Sequence, residues 1–262
     1  MQQYSIGLVL SGGGHKGLVH AGVLQFLQEQ KIEPQLFSGS SAGALISSLY
    51  AVGKSPREIL EFFRSVNLFN VHHFSLAKNG LLNAEKFMVY LEQVFGELRV
   101  GDLPKEVYIS ATNIETAKPK IFSPQTKLKE AVAASCAFPG VFSPIIVEGK
   151  LYSDGGILNN FPANVIQGRC DFVIGVNLDC GLDYKPANKF AFAPQTAWRA
   201  IEIMMSQNSA MQNRFCDWLI NPKDVNQYSV FELSSKRLDA IFNLGYQTAK
   251  REFAKLNPSI FG

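Results

Sequence analysis

The 262-residue chain predicts a three-layer α/β/α fold with a mostly parallel central sheet. Two observations support this prediction. Short apolar runs rich in β-branched residues alternate along the chain with longer segments whose apolar residues recur at helical spacing. The first apolar run also ends in a glycine-rich loop that opens a helix, which is typical of a buried parallel strand. Because no linker, repeat or low-complexity segment interrupts the pattern, we expect residues 1–262 to form a single domain.

The first four elements form two strand–helix units. Ser5–Leu10 is a short apolar run that predicts a buried strand, and Gly17–Gln30 follows with its apolar residues at helical spacing. The second unit is predicted as a strand over Gln35–Ser38 and a helix over Ala44–Val52. Each strand therefore leads into a helix through a loop rich in small residues.

The next part of the chain has one clear helix start and one irregular segment. Ser55–Glu58 offers a serine cap, a proline at the first helical position and a glutamate that closes a capping box. Val66–Leu82 has neither a helical nor a strand period. It is either a mobile flap over an apolar binding site or a loop packed on the core. Another helix is predicted over Asn83–Phe95, with the asparagine as its cap.

The second half of the chain continues the alternation of strands and helices. Strands are predicted over Val107–Thr112 and Phe172–Leu178, and helices over Lys127–Ser135, from Thr196 and from Lys236.

Composition excludes several classes of protein. The hydrophobic fraction of 47% and the charged fraction of 18% are those of an ordinary globular protein. A net charge of +3 without a lysine- and arginine-rich patch argues against nucleic acid as a partner. The composition is compatible with transient contact with a membrane surface. It does not determine the oligomeric state. The cysteines have no metal-ligand spacing, so we expect buried reduced thiols and no bound metal: they are Cys136, Cys170, Cys180 and Cys216.

The N-terminus predicts a cytoplasmic protein. Met1–Tyr4 lacks the basic region of a secretory signal. The apolar runs are also far shorter than the ~20 residues of a membrane span. Export by a route that needs no signal remains an alternative.

The most informative motif is the G-x-S-x-G pattern of Gly39–Gly43. Its position between a predicted strand and a predicted helix identifies it as a nucleophile elbow. Small residues on both sides of the serine are needed because the turn is sharp and strained. The hydroxyl then lies at the positive end of a helix, where a developing oxyanion is favoured. Ser41 has glycine at both flanking positions, and Ser40 does not, so Ser41 is the predicted nucleophile.

The glycine loop Gly12–Gly17 has two interpretations. It satisfies G-x-G-x-x-G, so a dinucleotide-binding fold must be considered. That fold needs an acidic residue at the end of the second strand, and Leu36–Ser38 runs into the serine elbow without one. The loop also fails as a Walker A motif, since Leu18 follows Gly17. The favoured interpretation is an oxyanion hole, because consecutive glycines expose backbone N–H groups beside a helix N-terminus.

The general base follows by elimination. An ordinary α/β-hydrolase needs a histidine near its C-terminus, and every histidine lies in the first 73 residues: His15, His20, His72 and His73. A carboxylate acting directly on the serine is the simplest remaining choice. Asp154 follows a short strand-like run and precedes Gly155 and Gly156, which would let it approach another loop closely. A D-G turn between two strands is the alternative interpretation. An unperturbed aspartate has a pKa near ~3.9, so burial would have to raise it.

These motifs together resemble those of the patatin-like phospholipases. The glycine loop, the elbow and the D-G-G stretch occur in the family's order. Ala134–Pro139 also resembles the family's A-S-x-x-x-P block, and Asn159–Pro162 resembles its N-x-P stretch. The motifs cover roughly Ile6–Pro162, whereas the last hundred residues match only in general α/β character.

The resemblance implies a role for each matching position. Ser41 becomes the nucleophile and Asp154 the base of a Ser–Asp dyad. Backbone N–H groups of the glycine loop and of the residue after the nucleophile become the oxyanion donors: Gly12, Gly13, Gly14 and Ala42. The remaining motif positions support this geometry: Lys16, Gly17, Gly39, Gly43, Gly155 and Gly156. Lys16 stands where many relatives carry arginine, and the two cations differ in how they bind phosphate.

The resemblance implies a hydrolase of fatty-acyl esters, with phospholipids or lysophospholipids as the expected substrates, and no cofactor or metal. An acyltransferase that uses the same acyl-enzyme is the nearest alternative. A lipid-binding relative without catalysis is another, and a dinucleotide-dependent oxidoreductase is the third.

Overall fold

A mixed eight-stranded sheet forms the centre of the computed structural model, which describes residues 3–65 and 84–256. The strand order is β5-β6-β3-β2-β1-β7-β8, and β4 pairs with β3. The central strands β3, β2, β1, β7 and β8 are parallel to their neighbours in this order, whereas β4 and β6 are antiparallel to β3. The strands are β1 Tyr4–Leu10, β2 Leu36–Ser40, β3 Glu106–Asn113, β4 Lys118–Ile121, β5 Ile145–Val147, β6 Lys150–Asp154, β7 Cys170–Val176 and β8 Trp218–Ile220.

Helices flank the sheet on both faces. The main hydrophobic core holds side chains of α1, α2, α3, α5 and α8, and the smaller core lies on the opposite face. The α-helices of the described residues are α1 Leu18–Glu29, α2 Ala42–Ala51, α3 Pro56–Ser65, α4 Ala84–Phe95, α5 Leu128–Ser135, α6 Gly156–Asn159, α7 Ala193–Gln212 and α8 Ser235–Phe253.

Strand β1 shows why the two faces need separate cores. Leu8 and Leu10 belong to the main core, whereas Val9 belongs to the smaller one. Successive side chains of a strand point to opposite faces, so an uninterrupted apolar run needs cover on both sides. The three-layer arrangement predicted from such runs is confirmed.

Most predicted elements are present with shifted ends. Glu58 and Ser55 make the predicted capping box: the Ser55 amide donates to Glu58 Oε2 at 2.9 Å, and the Glu58 amide donates to Ser55 Oγ at 3.2 Å. Helix α4 begins within the predicted range, but Asn83 and the irregular segment Val66–Leu82 lie outside the described residues. Strands β4, β5 and β8 were not predicted, since each has only three or four residues.

Helices α1 and α8 pack closely through two glycines. A Cβ on Gly22 of α1 would overlap the Phe242 carbonyl oxygen, and a Cβ on Gly245 of α8 would overlap the Val19 carbonyl oxygen. The C-terminal helix is thereby fixed against the first helix of the chain. Within the described ranges, no helix combines the length and apolarity needed to cross a lipid bilayer.

Candidate active site

Ser41 lies on a strained turn between β2 and α2. Its backbone has φ 52° and ψ −123°, a conformation that L-residues rarely adopt. The residue is the N-cap of α2, so its side chain lies beside the unpaired amides and positive dipole end of that helix. The turn is held from outside, because the Ser41 amide donates to Ser135 Oγ at 2.9 Å.

The two glycines of the motif allow the turn to close. A Cβ on Gly39 would lie 2.6 Å from the Ala44 nitrogen, and a Cβ on Gly43 would overlap the Leu10 carbonyl oxygen. Neither neighbour is a flexible side chain that could move aside. Any larger residue would therefore have to displace backbone of the sheet or of α2.

The structure separates the two adjacent serines of the motif. Ser40 is fully buried, and its Oγ lies 2.7 Å from where a Cβ on Gly155 would be. Ser41 is partly exposed and lines a cavity of about 240 Å³. Only the second serine can therefore meet a substrate in that cavity.

Asp154 ends β6 and lines the same cavity. It is fully buried, and its Oδ1 accepts a hydrogen bond of 2.7 Å from the Gly156 amide. The D-G turn considered from sequence does not join two strands here, because α6 begins at Gly156 directly after β6. Gly155 packs against the Ser110 carbonyl of β3, which holds the end of β6 close to the sheet.

The pKa of Asp154 is raised from 3.8 to about 7, and burial is the main cause. The Ser41 hydroxyl and the Gly156 amide act in the opposite direction, since both stabilise the carboxylate. Asp154 Oδ2 is buried and makes no hydrogen bond of standard geometry with the described residues. Of these two groups, the Ser41 hydroxyl lowers the pKa of Asp154 more than the Gly156 amide does, so it lies close to the carboxyl group.

The glycine loop lies opposite this pair in the same cavity. The Gly12 amide is already engaged, because it donates to the Asn160 backbone carbonyl at 3.0 Å. The amides of Gly13 and Gly14 make no hydrogen bond with the residues that the structure describes. Gly14 has φ +57°, a left-handed conformation that favours glycine. The structure thus brings Gly13 and Gly14 to the cavity with unused donors, whereas Gly12 anchors the loop.

The two supporting positions of the loop have different surroundings. Gly17 packs against Ala42, where a Cβ would lie 2.6 Å from the Ala42 Cβ, so the loop and the first turn of α2 are in direct contact. Lys16 is partly buried in the cavity wall, and burial lowers the pKa of its ammonium group. Carboxylates of Asp183 and Glu202 oppose that shift.

The described histidines are neutral near pH 7 and are held by other partners. Burial lowers the pKa of both His15 and His20 to about 4. The His20 ring nitrogen Nε2 lies 2.8 Å from the Ser11 carbonyl oxygen. His15 lines the cavity, but its ring contacts Phe63 edge-on and bonds to the backbone of Glu232. His72 and His73 lie outside the described residues.

Most of the remaining cavity wall is apolar and aromatic. Phe87 stacks on Phe142 at 5.8 Å between ring centroids, and Phe138 packs on Trp198 at 5.0 Å. The apolar lining residues are Leu45, Phe63, Phe87, Phe138, Val141, Phe142, Leu178, Leu182, Trp198, Met205, Val230 and Phe231. The cavity therefore suits an apolar chain that ends at Ser41.

Three residues of the site were not given a role from sequence. Ser135 Oγ accepts the Ser41 amide and donates to the Ser110 carbonyl at 2.6 Å, so it connects the elbow to β3. Asn160 contributes the carbonyl that holds Gly12, and its own Oδ1 is buried and finds no hydrogen-bond partner among the residues that the structure describes. Both belong to motif blocks that the sequence shows, but only the fold reveals their contacts.

Cys136 is the third of these residues. Its thiol lies beside Ser41 and Asp154, and burial raises its pKa well above the usual value. All four cysteines are free thiols, as predicted, but each is partly rather than fully buried. In the part of the chain that the structure describes, no cluster of three or more His, Cys, Asp or Glu side chains is suited to a metal ion.

A strained serine and a buried carboxylate in one cavity of a mostly parallel α/β sheet are the architecture of an α/β acyl hydrolase. The sequence profile described as "Patatin-like phospholipase" matches residues 8–166, which is more than half of the chain. The chain therefore belongs to the patatin-like phospholipase family.

Similar sequences occur in distant organisms. An uncharacterized NTE family protein of Mycobacterium bovis is 32% identical over 186 residues, which are 70% of this chain and 51% of the relative. The chain thus spans about half the length of that relative. An uncharacterized protein of Acanthamoeba polyphaga mimivirus is 26% identical over 283 residues and is covered over 94% of its length.

Two solved structures share the fold. VipD from Legionella pneumophila superimposes with a TM-score of 0.61 at 16% identity, covering 97% of this chain and 67% of VipD. Human GIVD cytosolic phospholipase A2 superimposes with a TM-score of 0.53 at 11% identity, covering 96% of this chain and 58% of the human protein. At such identities the likeness shows a common fold.

Proposed function

We propose that the protein is a serine acyl hydrolase that cleaves fatty-acyl ester bonds of phospholipids or lysophospholipids. The observation that carries the proposal is that Ser41 and Asp154 meet in one apolar cavity with the donors of the glycine loop. Membership of the patatin-like phospholipase family supports a lipid substrate.

In the acylation step, Asp154 takes the proton of the Ser41 hydroxyl while Oγ attacks the ester carbonyl carbon. The carbonyl oxygen becomes an oxyanion that accepts hydrogen bonds from the amides of Gly13, Gly14 and Ala42. Each such donor is typically worth about 10²–10³ in rate. Collapse of the tetrahedral intermediate breaks the C–O bond of the ester, and the proton on Asp154 passes to the departing alcohol.

In the deacylation step, water replaces the alcohol. Asp154 takes a proton from the water, whose oxygen attacks the acyl-enzyme carbonyl at the same oxyanion site. Collapse returns the proton to Ser41 Oγ and releases the fatty acid. Because a pKa of about 7 lies near the ambient pH, Asp154 can both accept and donate this proton.

Mutation of the pair tests the proposal. We expect Ser41→Ala to lower the turnover of phospholipids and of short aryl esters by at least about 10³. Asp154→Asn should lower it by about 10²–10⁴, the usual contribution of a positioned base. Ser40→Ala is the matched control, since Ser40 is buried next to Ser41 and its Oγ makes no hydrogen bond within the described part of the chain. Unchanged turnover in either of the first two variants would remove that residue from the mechanism.

Covalent labelling and product analysis separate the alternatives. An alkyl fluorophosphonate should label the wild-type protein once, at Ser41, and leave Ser41→Ala unlabelled. A protein that only binds lipid would take no label. Mass spectrometry of lipid products with added glycerol or lysolipid acceptors would detect an acyltransferase, whose acyl product would appear on the acceptor.

A further inference from the structure

Helix α7 has two opposite faces with different surroundings. At 3.6 residues per turn, Trp198, Glu202 and Met205 fall on one side, and all three line the cavity that contains Ser41. Ser209 lies on the same side and is fully buried. This side of α7 is accordingly the inner face, and it closes the candidate active site.

The opposite side of α7 is exposed and carries no charge. We call it the outer face of α7, and its residues are Ala193, Thr196, Ala197, Ala200, Ile203, Met204, Gln207 and Met211. Every one of these residues is exposed. The two charged residues of this 20-residue helix, Arg199 and Glu202, lie off the outer face. Glu202 Oε2 lies 3.1 Å from Arg199 Nη1 and also pairs with Lys185 Nζ at 2.8 Å.

Several large apolar side chains of this face project into solvent. Met211 is 63% exposed, Met204 59% and Ile203 45%, and Phe192, directly before the helix, is 69% exposed. A helix that faces only water normally has charged residues on its outer side. Helix α8 has this usual pattern, with lysine and arginine residues at exposed positions. The outer face of α7 is thus an exposed, largely apolar surface, unlike the charged outer side of α8.

The segment before α7 adds the chemistry of a membrane interface. Tyr184 is 87% exposed, and tyrosine favours the boundary between water and lipid. Lys185 and Lys189 are exposed between β7 and α7, a stretch that also contains Asp179 and Asp183. Lys185 Nζ pairs with Glu202 Oε2 at 2.8 Å, whereas Lys189 makes no ion pair with the described residues. The ammonium group of Lys189, beside an apolar helix face, is complementary to the phosphates of anionic phospholipids.

We propose that the outer face of α7, with Tyr184 and Phe192, is the surface by which this protein docks onto an anionic phospholipid membrane. The inference rests on the proposed function, because a lipid hydrolase must reach substrate that is packed in a bilayer. A helix lying flat in the headgroup region would place the cavity one helix diameter, about 10 Å, from the lipid. The inner face of the same helix then lines the route that an acyl chain takes to Ser41.

Vesicle binding tests the proposal without any need for turnover. All proteins carry Ser41→Ala so that no product alters the membrane, and each is sedimented with vesicles of phosphatidylglycerol and phosphatidylcholine. We expect Met204→Gln to lower the fraction bound several-fold and Met204→Glu to lower it about tenfold or more, since each loses the buried methionine contact. Lys189→Glu should weaken binding to anionic vesicles and leave binding to pure phosphatidylcholine unchanged.

The matched control is Ile146→Glu. Ile146 is as exposed as Phe192, at 69%, but lies on β5 at the edge of the sheet farthest from β8. This variant should bind vesicles like the parent protein. Equal vesicle binding by the parent, Met204→Glu and Met211→Glu, with unchanged circular dichroism, would overturn the proposal. The parent protein could also prove to be a dimer that Met204→Glu converts to a monomer without any change in vesicle binding. That result would assign the outer face of α7 to contact with a second copy and would overturn the membrane-docking proposal.

Kinetics on two substrates separate this inference from the proposed function. With Ser41 intact, Met204→Glu should hydrolyse a soluble short-chain aryl ester at the parent rate and phospholipid vesicles about tenfold more slowly. If the parent protein hydrolyses neither substrate, the proposed function fails, whereas vesicle binding still decides the docking surface.

Discussion

At the scale of single residues, the site depends on opposing influences on Asp154. Full burial would keep this carboxyl group protonated, and the Gly156 amide and Ser41 hydroxyl would keep it ionised. The balance gives a pKa of about 7 instead of 3.8. Its location thereby removes the poor basicity expected of an ordinary aspartate.

The pH dependence of turnover should report this carboxyl group. Because the base must be ionised, kcat/KM for a neutral aryl ester should rise about tenfold per pH unit below 6 and level off above 7 to 8. Initial rates between pH 4.5 and 9 would measure the profile, with circular dichroism confirming the native fold at each pH. A rate that is constant from pH 5 to 8 would contradict the assignment of Asp154 as the base.

The free energy of unfolding should also depend on the Asp154 carboxyl group, but it should fall with rising pH, whereas turnover rises. A pKa raised on folding means that the native state holds its proton more tightly, so stability is lost as the pH rises from about 4 to 7. Asp154→Asn avoids that loss and should be more stable than the parent by about 2–4 kcal/mol at pH 8. The difference should vanish near pH 4. Denaturant melts at both pH values would measure it, and a constant difference would count against the raised pKa.

Ser135 should act as a positioning residue. Ser135→Ala removes the acceptor for the Ser41 amide and the bond to the Ser110 carbonyl, so the strained turn loses its external support. We expect a stability loss of about 1–2 kcal/mol and a fall in kcat of roughly tenfold to a hundredfold with little change in KM. Ser48→Ala is the control, since its buried hydroxyl donates to the Ala44 carbonyl of the same helix at 2.8 Å. An equal fall in kcat in both variants would show a general effect of destabilisation.

At the scale of elements, local sequence signals located the parts of the site but not their contacts. The elbow, the glycine loop and the helix capped by Ser55 depend on residues adjacent in sequence, so their positions were predictable. Strand β8 depends on pairing with β7 across a gap of more than 40 residues, and no local signal reports such pairing. The roles of Asn160 and Ser135 were missed for the same reason, since their partners are Gly12 and Ser41.

Adding a methyl group where α1 and α8 cross, as in Gly245→Ala, should destabilise the protein. On helix propensity alone, Gly245→Ala would stabilise α8 by about 1 kcal/mol. The new Cβ would overlap the Val19 carbonyl oxygen of α1, which belongs to a rigid helix backbone. We therefore expect a net loss of about 1–3 kcal/mol. Asn243→Ala, at an exposed position of the same helix, is the control and should be neutral or slightly stabilising. Greater stability of Gly245→Ala in a thermal melt would show that the helices can separate at little cost.

At the scale of the whole molecule, the family match and the folded unit have different ends. The matched region stops at residue 166, yet β7 and β8 extend the sheet beyond β1. Helix α8 packs on α1 and α3, and α7 closes the cavity. The last hundred residues carried no family motif because they contribute packing and cavity wall, which many sequences can supply. That residues 1–262 form one domain stays a prediction.

A chain that ends at residue 166 tests that prediction directly. It keeps Ser41, Asp154 and the glycine loop but leaves β1 as an edge strand, since β7 pairs with it from Tyr4 to Leu10. It also exposes the side of α1 that α8 covers. Unpaired backbone and uncovered apolar surface together favour association over folding. We expect an aggregated product, or a soluble one without a cooperative urea transition or aryl-ester turnover. Adding residues 167–262 as a separate chain during refolding should restore part of the cooperative urea transition and part of the aryl-ester turnover. A monomer of residues 1–166 that unfolds cooperatively would instead place a domain boundary near residue 166.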